Sequence, residues 1–302
     1  IYTLSLHDAL PISGAAEANL LVLLRLLEPG DELVALTPTY MQCIGLARGL
    51  GARVTYCPLS KTDRYGLDAE RLRKTVSPKT KIILCVNPNN PTGSVYSQED
   101  IREICAAADS VGAWVLCDGA LRGLEMNGEW AAAPYPMYGR GINTGSLSKV
   151  GLTGIRTGWM ISDRRLIEDC WALKDYSTLC HTGVGEYLAE KALEPANMAR
   201  YIDRARTTAR VQSAMLGGWV RENHGLVDWI PPAAGHTAFV RYNLDMSSTE
   251  LCEKLLAEEE VLVSPGDYFD TPKHLRIRHS CGREELEEGL KRLGAFLRRH
   301  GR

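Results

Sequence analysis

Residues 145–158 read GSLSKVGLTGIRTG and are the most informative stretch of the chain. They place Lys149 directly after the tripeptide Ser-Leu-Ser at 146–148 and seven residues before Arg156. An amine that bonds covalently to a phosphorylated aldehyde needs hydroxyls, backbone N–H groups and a guanidinium nearby to hold the phosphate. The stretch therefore predicts a reactive lysine beside an anion-binding loop.

The composition is that of a globular protein. The chain has 302 residues, of which 45% are hydrophobic and 24% charged, and its net charge is -2. This balance gives no electrostatic reason to expect nucleic acid or an anionic membrane as a partner. No apolar run approaches the roughly 18 residues that a membrane span requires. The nine cysteines are scattered, which favours buried, reduced thiols in a cytoplasmic protein over disulfides, and no metal site is expected.

Apolar and amphipathic segments alternate on both sides of this stretch. Short apolar runs at 32–36, 81–86 and 113–118 predict buried strands, and the segments between them predict helices. Residues 87–93, NPNNPTG, are too rich in Asn, Pro and Gly to be anything but a loop. Asp118 closes the last of these strands. The alternation predicts an α/β domain with a doubly wound, mostly parallel sheet.

The pattern of predicted strands and helices changes after about residue 190. A long helical stretch is followed by shorter segments without a continuous parallel run, which predicts a smaller C-terminal α+β domain. We therefore predict a large domain over 13–190 and a small domain over 191–302. The helices predicted for the small domain are at 190–223, 249–259 and 284–299, and its predicted strands are at 237–242, 261–264 and 274–280.

The first twelve residues, IYTLSLHDALPI, are set apart from the rest of the chain in predicting the fold. They resemble the read-through translation of a sequencing adapter, so 1–12 are predicted to be non-native and are excluded from fold reasoning. On this interpretation the large domain is incomplete at its N-terminus. We then expect the chain to fold poorly or dimerise weakly, and its own activity to be impaired.

Three unusual segments follow predicted strands: the 87–93 loop, Asp118, and the serines before Lys149. In open α/β sheets, ligands bind beyond the carboxyl ends of the strands. A lysine that forms a Schiff base, a carboxylate for a pyridine nitrogen and hydroxyls for a phosphate are the groups that pyridoxal phosphate (PLP) requires. The combination predicts a PLP site.

The order NP-x-NPTG, strand-ending Asp, S-x-SK and downstream Arg resembles the class I/II aminotransferases of the aspartate aminotransferase superfamily, with PLP fold type I. The resemblance runs from about Ser13 to the C-terminus. It implies that Lys149 is the Schiff-base lysine, that Asp118 pairs with the pyridine nitrogen, and that Tyr40 stacks on the ring as the third catalytic residue. Asn90 would donate to the ring hydroxyl.

The resemblance also implies the remaining contacts. Arg276, with Asn90, would bind the substrate carboxylate. The implied enzyme is a cytoplasmic homodimer of amino acid metabolism and biosynthesis, which moves an amino group between an L-amino acid and a 2-oxo acid. The phosphate cup would consist of Ser13, Gly14, Ala15, Ser146, Ser148 and Arg156.

The chain departs from this pattern at several positions. Leu121 stands where the family usually has a tyrosine, Gly119 stands where an acidic residue is common, and the spacing from Lys149 to Arg156 is one residue short. These departures leave a second function open, that of a PLP-dependent oxidase, hydroxylase or cyclase of an arginine-like amino acid. A third alternative is a non-catalytic, aminotransferase-like domain of a regulator.

Overall fold

The computed structural model describes residues 8–180 and 182–301, and two sheets organise them. The larger sheet has the strand order β1-β7-β6-β5-β4-β2-β3. Strands β2 to β6 run parallel, whereas β7 and β1 are antiparallel to their neighbours, so the prediction of a mostly parallel sheet is confirmed. The strands are β1 Ala9–Ile12, β2 Glu32–Thr37, β3 Arg53–Pro58, β4 Thr80–Val86, β5 Trp114–Asp118, β6 Gly141–Ser146 and β7 Gly158–Ile161.

Helices cover both faces of this sheet. Successive side chains of β4 point to opposite faces, so Ile82 and Leu84 join one apolar cluster while Ile83 and Cys85 join the other. The first cluster packs under α1, α2 and α5, and the second under α3 and α4. The helices are α1 Ala15–Leu26, α2 Gln42–Gly49, α3 Ala69–Thr75, α4 Gln98–Asp109 and α5 Arg164–Lys174.

The C-terminal part forms a two-layer α+β unit. Its sheet has the order β10-β11-β9-β8 and is antiparallel throughout. Leu216, Val240, Leu275 and Phe296 belong to the apolar core between this sheet and its helices. The elements are α6 Gly183–Leu193, α7 Pro195–Glu222, β8 Val227–Trp229, β9 Thr237–Tyr242, α8 Ser248–Glu259, β10 Ser264–Pro265, β11 His274–Arg278 and α9 Arg283–His300.

The structure differs from two secondary-structure predictions here. The single helix expected at 190–223 is two helices, because Glu194 leaves the helical conformation and Pro195 begins α7, a position where its missing N–H costs nothing. The strand expected at 261–264 is also wrong. Residues 261–263 have no strand, and β10 contains only Ser264 and Pro265.

Part of the segment that was set apart belongs to the sheet. Residues 9–12 form β1, which pairs with β7, and Leu10 and Ile12 are buried because alternate side chains face the core. The exclusion of this part from the fold is therefore corrected. The adapter-like origin of residues 1–12 stays a prediction, and residues 1–7 lie outside the described residues. The domain boundary near residue 190 also stays a prediction.

Two further properties concern the described residues as a whole. None of their helices is both long and apolar enough to cross a membrane. Their cysteines are free thiols, and all except Cys180 and Cys281 are buried.

Candidate active site

The carboxyl ends of β2, β4, β5 and β6 meet at one edge of the large sheet and border a cavity of about 670 Å³. The C-terminal α+β unit covers this edge with β9, β11 and α7. Nearly all of the site residues predicted from the sequence line this cavity: Gly14, Ala15, Tyr40, Asn90, Asp118, Ser146, Ser148, Lys149, Arg156 and Arg276. Ser13 is the exception.

Asp118 lies at the end of β5, and only 5% of it is exposed. One carboxylate oxygen accepts a hydrogen bond from Asn19 Nδ2 at 2.9 Å, and the other accepts from the backbone N–H of Ala120 at 2.9 Å. Burial raises the pKa of Asp118, and these two donors together with the nearby Lys149 ammonium oppose that rise. The carboxylate is thus held rigidly in a place that favours a cationic partner.

Lys149 lies in a single 3₁₀ turn, Ser148–Val150, immediately after β6. Burial of the amine lowers the pKa of Lys149, and the guanidinium groups of Arg278 and Arg276 lower it further, against the attraction of Asp118. The Nε2 atom of His236 donates a hydrogen bond to the carbonyl of Lys149 at 2.9 Å. The neutral amine is therefore present at a lower pH than in an ordinary lysine, which suits a nucleophile and base.

An anion cradle forms where α1 begins beside Arg156. The N–H groups of Ala15 and Ala16, at the start of α1, have no acceptor within the helix. Gly14 has φ 84°, and a Cβ at this position would lie 2.7 Å from Arg156 Nη2, so only glycine leaves the space open. Arg156 Nη1 donates to Ser148 Oγ at 3.4 Å, and Ser146 Oγ accepts from the N–H of Ser148 at 3.2 Å.

Ser13 takes part in this cradle only indirectly. Its carbonyl accepts a hydrogen bond from Arg156 Nη2 at 3.0 Å, and its N–H donates to Glu17 at 2.6 Å. Ser13 is not among the residues that line the cavity. Its place in the predicted phosphate cup is therefore that of a support for Arg156.

Tyr40 and Asn90 also line the cavity, on the loops that follow β2 and β4. These two loops are joined, because Asn89 Nδ2 donates to the carbonyl of Pro38 at 2.9 Å. Asn90 Oδ1 accepts a hydrogen bond from Arg276 Nη1 at 3.3 Å. The loop between β4 and α4 thus links the larger sheet to β11.

Arg276 reaches the cavity from β11. Its Nη2 atom donates to Ser264 Oγ at 3.0 Å, and its guanidinium lies over the ring of Phe269, 5.1 Å from the centroid. These contacts, with the bond to Asn90, fix the orientation of the planar guanidinium. A guanidinium held in this way can bind a carboxylate through two parallel hydrogen bonds.

The structure shows the surroundings of the two unusual residues after Asp118, Gly119 and Leu121. Gly119 packs against β6, where a Cβ would lie 2.6 Å from the carbonyl oxygen of Thr144, so no side chain fits there. Leu121 is buried and belongs to an apolar cluster with Leu147 and Val150. Because Leu121 also lines the cavity, this wall is apolar where a tyrosine would offer a hydroxyl.

The structure also brings polar residues to the site that sequence reasoning did not select. Arg204, His236 and Arg278 line the cavity. Arg278 follows Arg276 by two residues on a strand, so the period-two alternation could have revealed it. Asn19 is a polar residue in the leucine-rich α1. A polar residue in such a setting indicates a buried hydrogen bond, but the sequence does not identify the partner.

Asn19 offers a first test of how this site is supported. It is fully buried, donates to Asp118 and accepts from Thr144 Oγ1 at 3.2 Å. The variant Asn19→Leu would deprive a buried carboxylate of a donor. Because a hydrogen bond to a charged group contributes about 1.5–3 kcal/mol, we expect PLP affinity to fall about 10- to 100-fold.

Titration of the apoprotein with PLP, followed by visible absorption, measures this affinity. Gln42→Leu is the matched control, since Gln42 accepts from the same Asn19 amide at 3.3 Å but does not contact Asp118. An unchanged PLP affinity in a folded Asn19→Leu protein would show that Asn19 does not support Asp118.

The cavity fits PLP, the cofactor that the sequence predicts. The cradle at Gly14, Ser148 and Arg156 matches a phosphate, and the space above Gly14 is one that a Cβ would fill. The buried Asp118 carboxylate matches a protonated pyridine nitrogen, and Lys149 lies close enough to Asp118 to influence its pKa. The charged side chains of the cavity therefore match the charged groups of PLP.

Comparisons with known proteins agree with this geometry. The model of the family "Aminotransferase class I and II" matches residues 4–293. A capreomycidine synthase from Streptomyces vinaceus is 33% identical, and the match covers 98% of this chain and 76% of that protein. An aspartate aminotransferase from Streptomyces avermitilis is 30% identical, with coverage of 98% and 76%.

Solved structures give the same result. A PLP-dependent aminotransferase from Streptococcus suis 89-1591 superposes with a TM-score of 0.90 at 35% identity, covering 97% of this chain and 78% of that one. An aspartate aminotransferase from Thermus thermophilus, solved with maleate, reaches a TM-score of 0.91 over 97% and 77%. At 22% identity this second similarity concerns the fold alone.

Proposed function

The chain belongs to the class I and II aminotransferase family, whose members use PLP, and from this premise we propose how its residues move an amino group from an L-amino acid to a 2-oxo acid. When bound, PLP supplies an aldehyde for the amine and an electron-withdrawing ring that acidifies the substrate's Cα–H bond. The roles of individual residues follow from the chemistry of the cavity.

Lys149 has two roles in this proposal. Its neutral amine would hold the cofactor covalently, and as a free amine it would accept the proton from the substrate's Cα and donate it to the neighbouring cofactor carbon. The lowered pKa of Lys149 supports both roles, because a protonated amine can neither attack an aldehyde nor accept a proton. The hydrogen bond from His236 to the Lys149 carbonyl restrains the turn that carries the amine.

Asp118 would keep the pyridine nitrogen of the cofactor protonated, which makes the ring a better acceptor of electrons. Tyr40 would contact the ring and Asn90 its hydroxyl, while Arg156, Ser146, Ser148 and the start of α1 would hold the phosphate. Arg276, assisted by Asn90, binds the α-carboxylate of the substrate. This contact orients Cα toward Lys149 and fixes the substrate for each half of the transfer.

One observation carries the proposal: Lys149, Asp118, Arg156 and Arg276, from four separate elements, face a single cavity. A panel of L-amino acids, with oxo-acid formation recorded with and without a 2-oxo acid, tests it. We expect sustained turnover only when the acceptor is present, with no consumption of oxygen. Turnover that consumes oxygen and needs no acceptor would contradict the proposal.

A second candidate function has a specific observation in its favour. Leu121 leaves an apolar wall beside the site, and a relative of 33% identity is named a synthase. The alternative is an oxidase, hydroxylase or cyclase of an arginine-like amino acid. The same panel separates the two functions, since only transamination requires an amino acceptor in stoichiometric amount.

We also propose a cytoplasmic homodimer. Tyr176, Leu179, Val184 and Tyr187 are each at least 60% exposed and lie within a short part of the chain around the start of α6. Such a concentration of apolar side chains is typical of an interface. Light scattering after size exclusion, over a range of protein concentrations, measures the assembly, and a monomer at every concentration would contradict this proposal.

A further inference from the structure

A buried carboxylate lies next to the phosphate cradle. Glu17 belongs to the first turn of α1, and only 7% of it is exposed. It is not one of the residues that line the cavity. Burial of an ionised carboxylate costs free energy unless hydrogen bonds and nearby charges offset the loss of water. A carboxylate kept at such a place must therefore have strong partners.

The Glu17 carboxylate joins two segments that are far apart in the sequence. Its Oε2 atom accepts a hydrogen bond from the N–H of Ser13 at 2.6 Å. Its Oε1 atom accepts from Ser177 Oγ at 2.6 Å and from Thr178 Oγ1 at 2.7 Å. These two hydroxyls belong to the segment that follows α5, so Glu17 ties the start of α1 to that segment.

The same partners keep Glu17 ionised. Burial by itself raises the pKa of this carboxyl. Hydrogen bonds from Ser177, Ser13 and Thr178 lower the pKa and outweigh burial. The ammonium of Lys174, itself buried, lowers the pKa further. An ionised carboxylate only accepts hydrogen bonds, so both oxygens of Glu17 are free to fix donors.

Ser13 carries this restraint to the cradle. Its N–H is held by Glu17, and its carbonyl accepts from Arg156 Nη2 at 3.0 Å. The guanidinium lies directly on this stretch of backbone, because a Cβ at the next residue, Gly14, would lie 2.7 Å from the same Nη2 atom. A displacement of Ser13 would therefore move the guanidinium of Arg156, which lines the cavity.

The charge of Glu17 does not by itself favour a phosphate in the cradle. Like charges repel, and the repulsion is screened less between buried groups than between exposed ones. Any benefit of Glu17 to phosphate binding must therefore come from the hydrogen bonds that it accepts. Charge and hydrogen bonding can be separated by substitution.

We propose that Glu17 is a positioning residue of the phosphate cradle, which fixes Ser13 and thereby aims the guanidinium of Arg156 at the phosphate of PLP. The segment at 177–178 is the anchor that holds Glu17 in place. This inference rests on the proposed function and adds to it a residue that acts on the cofactor through another side chain. It requires an acceptor at position 17 and not a negative charge.

A comparison of PLP with pyridoxal tests the inference without turnover. Pyridoxal has the same ring and aldehyde but no phosphate, so the ratio of the two affinities reports on the cradle alone. We expect Glu17→Leu to weaken PLP binding about 10- to 100-fold and pyridoxal binding less than about threefold. Titration of the full-length apoprotein, followed by visible absorption, measures both. An acidic residue that only stabilised the first turn of α1 would leave the ratio unchanged.

Two variants separate hydrogen bonding from charge and from general stability. The amide of Glu17→Gln can accept from the Ser13 N–H and donate to the two hydroxyls, so its ratio should stay within about threefold of the wild type. Glu32→Leu is the matched control, because Glu32 is also buried and accepts hydrogen bonds from hydroxyls, but at the start of β2. Its ratio should be unchanged. An equal loss in Glu17→Gln and Glu17→Leu, or an equal loss in Glu32→Leu, would overturn the inference.

A double-mutant cycle tests the route through Arg156. In an Arg156→Gln background, Glu17→Leu should change the ratio less than about threefold, because the side chain that it positions is already gone. A further loss as large as in the wild-type background would overturn the proposed route.

A variant of the anchor keeps the test open if Glu17→Leu does not fold. Ser177→Ala combined with Thr178→Val removes both donors to Oε1 at exposed positions, and it should lower the ratio about threefold or more. An unchanged ratio would overturn the inference. A failure of the proposed function is distinct, since L-amino acids would then yield no oxo acid while the dependence of PLP affinity on Glu17 would persist.

Discussion

Replacing Lys149 by alanine is expected to lower kcat by at least about 10³-fold and to abolish covalent attachment of PLP. The loss is this large because, in the proposed mechanism, one amine both holds the cofactor and moves the proton at Cα, and no other described lysine lines the cavity. The phosphate cradle at Arg156 is unaffected by the change, so PLP should still bind noncovalently. Activity with the best donor and acceptor, and the visible absorption of the bound cofactor, are the measurements.

Two controls accompany this prediction. Lys149→Arg keeps a positive charge but cannot form the bond, and it should be as inactive as the alanine variant. Lys79→Ala removes an exposed lysine that precedes β4, at the opposite edge of the sheet, and should retain full activity. Turnover of Lys149→Ala above about one tenth of the wild-type rate would contradict the role assigned to this lysine.

The second large effect is expected for Asp118→Asn, with kcat lowered about 10²- to 10³-fold. An amide keeps the hydrogen-bonding shape but carries no charge to keep the pyridine nitrogen protonated. Burial raises the pKa of Asp118, so protonation removes the useful charge at a higher pH than for an exposed aspartate. In the wild type, protonation of Asp118 contributes to the loss of activity as the pH falls. Asp118→Asn has no carboxylate to protonate, so its activity should lack this part of the pH dependence.

Steady-state kinetics over a range of pH, together with PLP titration, measure both parts of this prediction. Asp109→Asn is the matched control, because Asp109 is exposed at the end of α4, before β5 begins. A variant Asp118→Asn with kcat within threefold of the wild type would mean that the pyridine nitrogen has another partner.

Much of the fold follows from local sequence patterns. Short apolar runs bounded by Gly, Pro and Asn predicted β2, β4 and β5 closely, because buried parallel strands carry such runs between turn residues. Asp118 ends a parallel strand of the larger sheet, and Asn90 and Lys149 follow two others closely, so their convergence at one edge follows from topology. This is why the candidate site was predictable from three separate segments.

Other features depend on contacts that the local pattern does not contain. The role of β1 depends on pairing with β7, which lies far along the chain. Asn19 supports Asp118 only because α1 packs against the sheet beside β5, 99 residues later in the sequence. These are tertiary facts that a pattern of residue types does not encode.

The most direct test of the central claim is reduction of the PLP-loaded protein with borohydride, before and after one addition of the best amino donor without an acceptor. Reduction fixes the cofactor on the lysine that holds it, and peptide mass spectrometry identifies that lysine. We expect a single modified peptide containing Lys149 before the donor is added. After the addition we expect one oxo acid per bound cofactor and no modified peptide. Modification of another lysine, or modification of Lys149 that no amino acid prevents, would contradict the account.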